Sequence, residues 1–224
     1  MGNHNLVQNK MKSLMTYLNE KLIINKSFKD NTIKVESKKQ LKDIIYDRLV
    51  KNQEELKLND LDISSITDFS DVFSSYIFSE LRKTKKIYIN EWNTENAKDM
   101  SGMFHACLEL EEVDVSNFDV SNVTNMEYMF RTCRSLKKLD LTNWKVNRVK
   151  DMEKMFFCCK SLKTIGDVSG WEPESLETFD RAFFSCKILK NVDTSKWSDY
   201  LGDVSSTEAF DKCPYIQIPE WAEI

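Results

Sequence analysis

The sequence predicts an α/β solenoid, a stack of short units that each hold a strand and a helix, from three observations. A Met-Phe pair, first seen at Met103-Phe104, recurs at intervals of 26 or 27 residues and weakens to Ala-Phe in the last two copies. A cysteine follows each phenylalanine by three residues, at Cys107, Cys133, Cys159, Cys186 and Cys213. A third column of large residues keeps the same spacing, at Trp92, Phe118, Trp144, Trp171 and Trp197. Units of this length cannot bury an apolar face alone, so their repetition predicts stacked copies around one core.

Within one unit, the apolar positions predict a strand and a helix. Residues 136–141 alternate in their later part between apolar and polar types, which predicts a short half-buried strand. Residues 123–133 carry apolar side chains at positions 123, 126, 129, 130 and 133, which predicts a helix. Thr124 with Glu127, and Ser205 with Glu208, fit capping boxes at the starts of such helices. Gly166 is an extra residue in its copy and predicts a local bulge.

The chain divides into a cap, a repeat array and a second cap. Residues 1–52 predict an N-terminal α/β cap, with an apolar helical stripe at 7–22, a strand at 32–35 and a helix that begins after Ser37. Residues 53–213 hold about six repeats with an insertion near 79–86. Residues 214–224, which include Trp221, form a C-terminal cap. The first helix either covers the open end of the stack or docks a partner or a second copy.

The repeat motif resembles a known family. The pattern Met-Phe-x-x-Cys-x-x-Leu-Lys-x-Leu-Asp, followed by Trp and Val-x-x-Met, resembles the BspA-like leucine-rich repeats, the 26-residue type also found in mycoplasma surface lipoproteins. The resemblance covers about residues 55–216. It implies a curved leucine-rich-repeat solenoid used for protein binding. Many members are secreted or lipid-anchored, and similar arrays occur in phage and mobile-element proteins.

Composition excludes several classes of protein. The net charge is −4, and lysine dominates the basic residues, so the charge does not favour direct nucleic-acid binding. The longest apolar run, at 155–159, is far too short to cross a bilayer, and residues 1–28 do not read as a signal peptide. We therefore expect no membrane partner and a cytoplasmic location, in the host cell if the protein is phage-encoded.

Catalysis is not expected from this sequence. The chain holds only His4 and His105, and it carries no G-x-S-x-G, Walker or G-x-G-x-x-G motif. We therefore predict no enzyme activity, no cofactor and no small-molecule substrate. The cysteine column is interpreted as small buried hydrophobes, with a disulfide or metal array as the alternative; close C-x2-C pairs, which zinc sites need, do not occur.

An acidic column is the first candidate binding site. Asp114, Asp140, Asp167 and Asp193 hold the same strand position in successive repeats, with Lys57 and Tyr88 in the equivalent places upstream and Lys138 beside them. One interpretation is that each aspartate shapes a turn by accepting backbone N–H groups. The other is an exposed acidic stripe that receives a basic protein surface or imitates nucleic acid.

The insertion is the second candidate site. Arg82, Lys83, Lys85 and Lys86 form a compact basic cluster, which is either a solvated loop or a contact surface.

Together these features predict a non-enzymatic module that binds a partner protein through its solenoid surface. The alternatives are a phage or mobile-element inhibitor of a host nucleic-acid or defence enzyme, acting by steric block or nucleic-acid mimicry, and an adhesin-like surface protein.

Overall fold

The computed structural model describes residues 32–202, 204–219 and 221. The predicted helical stripe at 7–22 lies outside these residues. The described chain begins with strand β1 (Ile33–Lys34) and helix α1 (Lys38–Lys51). Strands β2 (Glu55–Lys57), β3 (Leu61–Asp62), β4 (Lys86–Tyr88) and β5 (Glu112–Val113) follow, with 3-10 helices at Ser79–Lys83 and Ser195–Asp199.

The strand at 32–35 and the helix after Ser37 are confirmed. The Ser37 hydroxyl accepts the Gln40 backbone N–H at 3.2 Å, and the Gln40 side chain accepts the Glu36 N–H at 2.8 Å. This N-cap satisfies donors that have no partner inside the helix. The buried face of α1 is the predicted one, Leu41, Ile44, Ile45 and Leu49.

Successive repeats lie side by side and pair in parallel. β1 pairs with β3, and β4 lies between β2 and β5. A second line of parallel bridges runs through five further steps, Asp68, Asp99, Asn125, Asp151, Thr178 and Ser205. The predicted strand at 136–141 is reduced to one bridge, between Lys138 and Thr164.

The helix predicted at 123–133, with its caps at Thr124 and Ser205, is wrong. This backbone forms consecutive turns in which alternate amides point in different directions: the Met129 N–H bonds Met126 O at 3.1 Å, whereas the Phe130 N–H bonds Met155 O of the next repeat at 2.9 Å. A helix would use every amide within its own segment. Here half of them link neighbouring repeats, at the cost of left-handed φ values at Tyr128 (+59°) and Thr132 (+60°).

The core consists of ladders that run through all the repeats. The rings of the phenylalanine ladder stack with centroids 5.1 to 5.6 Å apart, at Phe73, Phe104, Phe130, Phe156, Phe183 and Phe210. In the tryptophan column, the indole N–H groups of Trp92, Trp144 and Trp171 each donate to a carbonyl of the preceding repeat, as Trp144 does to Val115 O at 3.0 Å, whereas that of Trp197 is buried without a partner. Trp221, which falls out of register in the sequence, joins this ladder, since it stacks on Trp197 and donates to Thr194 O at 3.2 Å.

Five of the six cysteines are buried free thiols that form a third ladder, and the sixth, Cys158, is partly exposed. Each ladder thiol donates to the carbonyl of the phenylalanine in the preceding repeat, as Cys133 does to Phe104 O at 3.1 Å. The same bond recurs at Cys107, Cys159, Cys186 and Cys213. Burial raises the pKa of the Cys133 thiol well above its usual range. These residues therefore act as small core side chains that also link repeats.

Gly166 marks the extra residue at the predicted bulge. Its φ is +84°, and a Cβ there would lie 2.7 Å from Asp140 Oδ1 and from Thr142 Oγ1. Only glycine fits this close approach without a shift of its neighbours.

Candidate protein-binding surface

The acidic column is exposed, and each of its carboxylates is tied into a turn. Asp114, Asp140, Asp167 and Asp193 each accept the backbone N–H of the residue two positions on, at 3.0 to 3.2 Å. Hydrogen bonds from Ser169 and Ser195 hold the pKa values of Asp167 and Asp193 below their usual range. The column therefore has a local structural role at every position, as the turn interpretation expects.

The upstream members of the column lie where the strand register puts them. Lys57 and Tyr88 are register partners on β2 and β4, with the Lys57 ammonium 5.9 Å from the Tyr88 ring centroid. Continuing the register of β4 and β5 places Asp114 opposite Tyr88. Lys138 is exposed on the adjacent position. The structure thus places Lys57, Tyr88 and Asp114 side by side.

The basic insertion is packed against the protein, and half of its charge is paired. The Leu81 side chain is buried, and the Thr84 hydroxyl donates to Gln53 O at 2.8 Å. Lys85 pairs with Glu54 at 3.4 Å and Lys86 with Glu112 at 3.2 Å. The pKa of Lys86 is raised by its hydrogen bond to Glu112. Arg82 and Lys83 remain exposed, so the segment offers two available cations and not four.

A row of partly exposed aromatic and cationic side chains was not predicted from the sequence. We call it the outer row: Tyr76, His105, Tyr128, Arg131, Phe157 and Phe184. Tyr76 is 68% exposed, and its ring centroid lies 4.6 Å from that of His105. Phe157 and Phe184 stack at 4.9 Å with nearly parallel rings. Five repeats therefore contribute adjacent side chains to one continuous strip.

Arg131 is the centre of the outer row. Its guanidinium lies 5.1 Å from the Tyr128 ring centroid and 5.4 Å from that of Phe157, the geometry of cation–π contacts. Its Nη1 is 3.5 Å from His105 Nε2, and its Nε is buried without a hydrogen-bond partner. Burial, and then the charge of Arg131, lowers the pKa of His105. His105 is thus a half-buried member of the row, and its lowered pKa favours the neutral ring at pH 7.

Acidic side chains border the outer row on one side. Burial raises the pKa values of Glu127 and Asp151, and neighbouring carboxylates raise them further. Lys154 bonds Glu153 and lies 5.3 Å from the Tyr128 ring centroid. The position after the ladder phenylalanine varies from His105 to Arg131 to Phe157, which indicates an exposed position, but the sequence does not show that these side chains meet across repeats.

A family model described as "Mycoplasma protein of unknown function, DUF285" matches residues 39–164 and 74–197. Together the two matches span more than half of the chain. The chain belongs to this family. Neither a curated protein nor a solved structure matches the DUF285 chain.

In the part of the DUF285 chain that the structure describes, no helix is both long enough and apolar enough to cross a membrane. Within the same residues, no three His, Cys, Asp or Glu side chains come together as ligands for a metal ion.

Proposed function

We propose that this DUF285 chain is a BspA-like leucine-rich-repeat solenoid that acts as a non-enzymatic protein-binding module, with the outer row as its contact surface. The observation that carries the proposal is the chemistry of that row. Aromatic residues and Arg are enriched in binding hot spots; the aromatic rings bury large areas with few rotatable bonds, and Arg adds a planar charged group. Tyr76 and Phe157 add nothing to the core ladders, yet they are held in an ordered strip at the surface.

The rigidity of the strip supports the same function. The backbone beneath it is fixed by hydrogen bonds between repeats, such as Phe130 N–H to Met155 O and Thr132 N–H to Phe157 O. Side chains on such a backbone lose little conformational freedom when a partner binds, so more of the contact energy appears as affinity. The acidic column, by contrast, is accounted for by its turns, which leaves nucleic-acid mimicry without a distinct supporting feature.

The test compares two sets of variants in a crosslinking pull-down from the native cell, read by quantitative mass spectrometry. Tyr76→Ser with Phe157→Ser changes the outer row, and Asp140→Lys with Asp167→Lys changes the acidic column. We expect the row variant to lose a partner that the wild type captures, by about tenfold or more, because one hot-spot residue contributes at least about 2 kcal/mol. The acidic-column variant should keep it.

Each outcome decides between the two surfaces. Loss of the partner only in the Asp140/Asp167 variant would assign binding to the acidic stripe and overturn the outer row. Loss in both variants at an unchanged melting temperature would mean that the contact spans both faces. Capture that neither variant weakens would contradict binding by either surface.

A further inference from the structure

We propose that a basic face beside the outer row binds an acidic, extended segment of the partner protein. This inference rests on the proposed protein-binding function and names the chemistry of a second contact. The basic face consists of two columns, Arg134, Lys160 and Lys187 in one and Lys137, Lys163 and Lys190 in the other. All six side chains are exposed.

The backbone places these cations in consecutive rungs. The Lys163 N–H donates to Lys137 O at 2.9 Å, and the Lys190 N–H donates to Lys163 O at 3.2 Å. The first column lies three residues earlier, where each repeat turns between its cysteine and its leucine; the Leu162 N–H closes one such turn on Cys159 O at 3.2 Å. Neighbouring rungs of a parallel ladder are about 4.8 Å apart at the backbone, so residues of like charge occupy adjacent rungs.

Most of this charge has no anionic partner. Among the described residues, only Lys137 of the six has a carboxylate within salt-bridge distance, in Glu111, and Lys190 lies 5.0 Å from the Tyr215 ring centroid. Like charges at this spacing repel each other, by about 1 kcal/mol even in water. The acidic column is also like-charged, but its carboxylates accept turn hydrogen bonds, a role that a lysine ammonium cannot fill. An uncompensated cluster of cations fits a surface that meets an anionic partner.

The shape of the face favours a narrow occupant. Asp140 follows Lys137 by three positions on the same chain, so the exposed acidic column borders the basic face on one side. A double helix or an anionic bilayer would reach across both and set its phosphates against those carboxylates. One extended peptide fits within the two basic columns. On the other side lie the partly exposed Phe157 and Phe184 rings of the outer row, with the Lys212 ammonium 4.4 Å from the Phe184 ring centroid.

The test uses a fluorescent peptide of ten glutamates as the probe and measures binding by anisotropy at low and physiological salt. The variant Lys160→Gln/Lys163→Gln/Lys187→Gln/Lys190→Gln neutralises the face. The control Lys34→Gln/Lys39→Gln/Lys98→Gln/Lys145→Gln removes the same charge from exposed lysines elsewhere. We expect the wild type to bind with an affinity that falls as salt rises, the face variant to lose about tenfold or more, and the control to lose less than about twofold.

Several results would overturn the basic face. They are no binding by the wild type, equal loss in the face variant and its control, and tighter binding of a ten-residue oligothymidine or of phosphatidylserine vesicles that the face variant abolishes. The Tyr76→Ser/Phe157→Ser variant separates the two proposals. If it still binds the peptide but captures no cellular partner, both proposals stand. If the peptide assay fails while the outer row still captures a partner, only the basic face is lost.

Discussion

Phe156 and Phe157 are neighbours in the chain, but they belong to two different regions of the molecule. Phe156 is 1% exposed and stacks between Phe130 and Phe183 in the core ladder. Phe157 is half-buried and stacks on Phe184 in the outer row. The ladder position is phenylalanine in all six rungs, whereas the next position runs through Ser74, His105, Arg131, Phe157, Phe184 and Asp211.

The difference shows which positions the scaffold fixes. A position inside the stack must match its copies above and below, since mismatched rings would leave cavities in the ladder. A position on the outside has no such constraint and is free to serve a partner. Within one repeat protein, uniform columns therefore mark architecture, and a column that is large but irregular marks a candidate contact. The acidic column is aspartate in its four later repeats, and its turns explain those four aspartates.

The strongest test of this difference is to truncate Phe156 and Phe157 separately. Phe156→Ala should lower the free energy of unfolding by about 3 to 5 kcal/mol, because it opens a cavity between two stacked rings. Phe157→Ala should cost about 1 kcal/mol or less in stability, as a partly exposed side chain does. Urea unfolding measures both. Equal losses would show that Phe157 belongs to the core.

The cysteine ladder offers the next largest effect. Cys133→Ser should destabilise the fold by about 1 to 3 kcal/mol, because a buried hydroxyl loses more hydration than a thiol does. EDTA should leave the unfolding midpoint of the wild type unchanged. A stoichiometric metal in the purified protein, or a serine variant as stable as the wild type, would contradict the role of this column in the core.

The turn role of the acidic column predicts a smaller effect. Asp114 accepts both the N–H and the hydroxyl of Ser116, at 3.0 and 2.7 Å. Asp114→Ala should cost about 0.5 to 1.5 kcal/mol, whereas Asp114→Asn keeps an acceptor and should cost less. Thermal unfolding compares the two variants. If alanine and asparagine cost the same, the carboxylate does not act through the turn.

Replacing Asp151 should stabilise the protein, whereas replacing Asp114 should destabilise it. Its pKa is raised mainly by burial, so the folded protein takes up this proton before the unfolded chain does. The stability contributed by protonation is absent above the folded pKa and is gained as the pH falls through it. Asp151→Asn, which copies Asn125 at the matching position, should stabilise the protein at pH 7 and flatten this pH dependence. Denaturant midpoints from pH 7 to pH 4 check it, and a less stable variant at pH 7 would contradict it.

The smallest expected effect concerns the strained turns. Thr132 is β-branched and lies at a φ of +60°, a conformation that asparagine tolerates better. Thr132→Asn should raise the free energy of unfolding by a few tenths of a kcal/mol, up to about 1. The matched control is Thr124→Asn, at an exposed position without a left-handed φ, which should gain nothing. A gain in the control alone would remove strain as the cause.

Much of the scaffold could be predicted from local pattern. Fixed spacing identified the phenylalanine, cysteine and tryptophan columns, and their burial follows directly. The N-cap of α1 could be predicted from the sequence because Ser37 and Gln40 lie within one helical turn of each other. The outer row could not be predicted from local pattern, because Tyr76 and His105 lie 29 positions apart and meet only when repeats stack.

The sequence by itself determined the period of this protein and the columns of its core ladders, because each depends on residue type at a fixed local spacing, and it left the role of the aspartate column open between a turn and a binding stripe. Only the tertiary structure decided the path of the backbone between ladders. The apolar spacing of 123–133 suits a helix, but amides that bond the next repeat stabilise turns there instead. Tertiary structure also decided which side chains form the outer row, since contact between repeats depends on stacking and leaves no pattern within a single repeat.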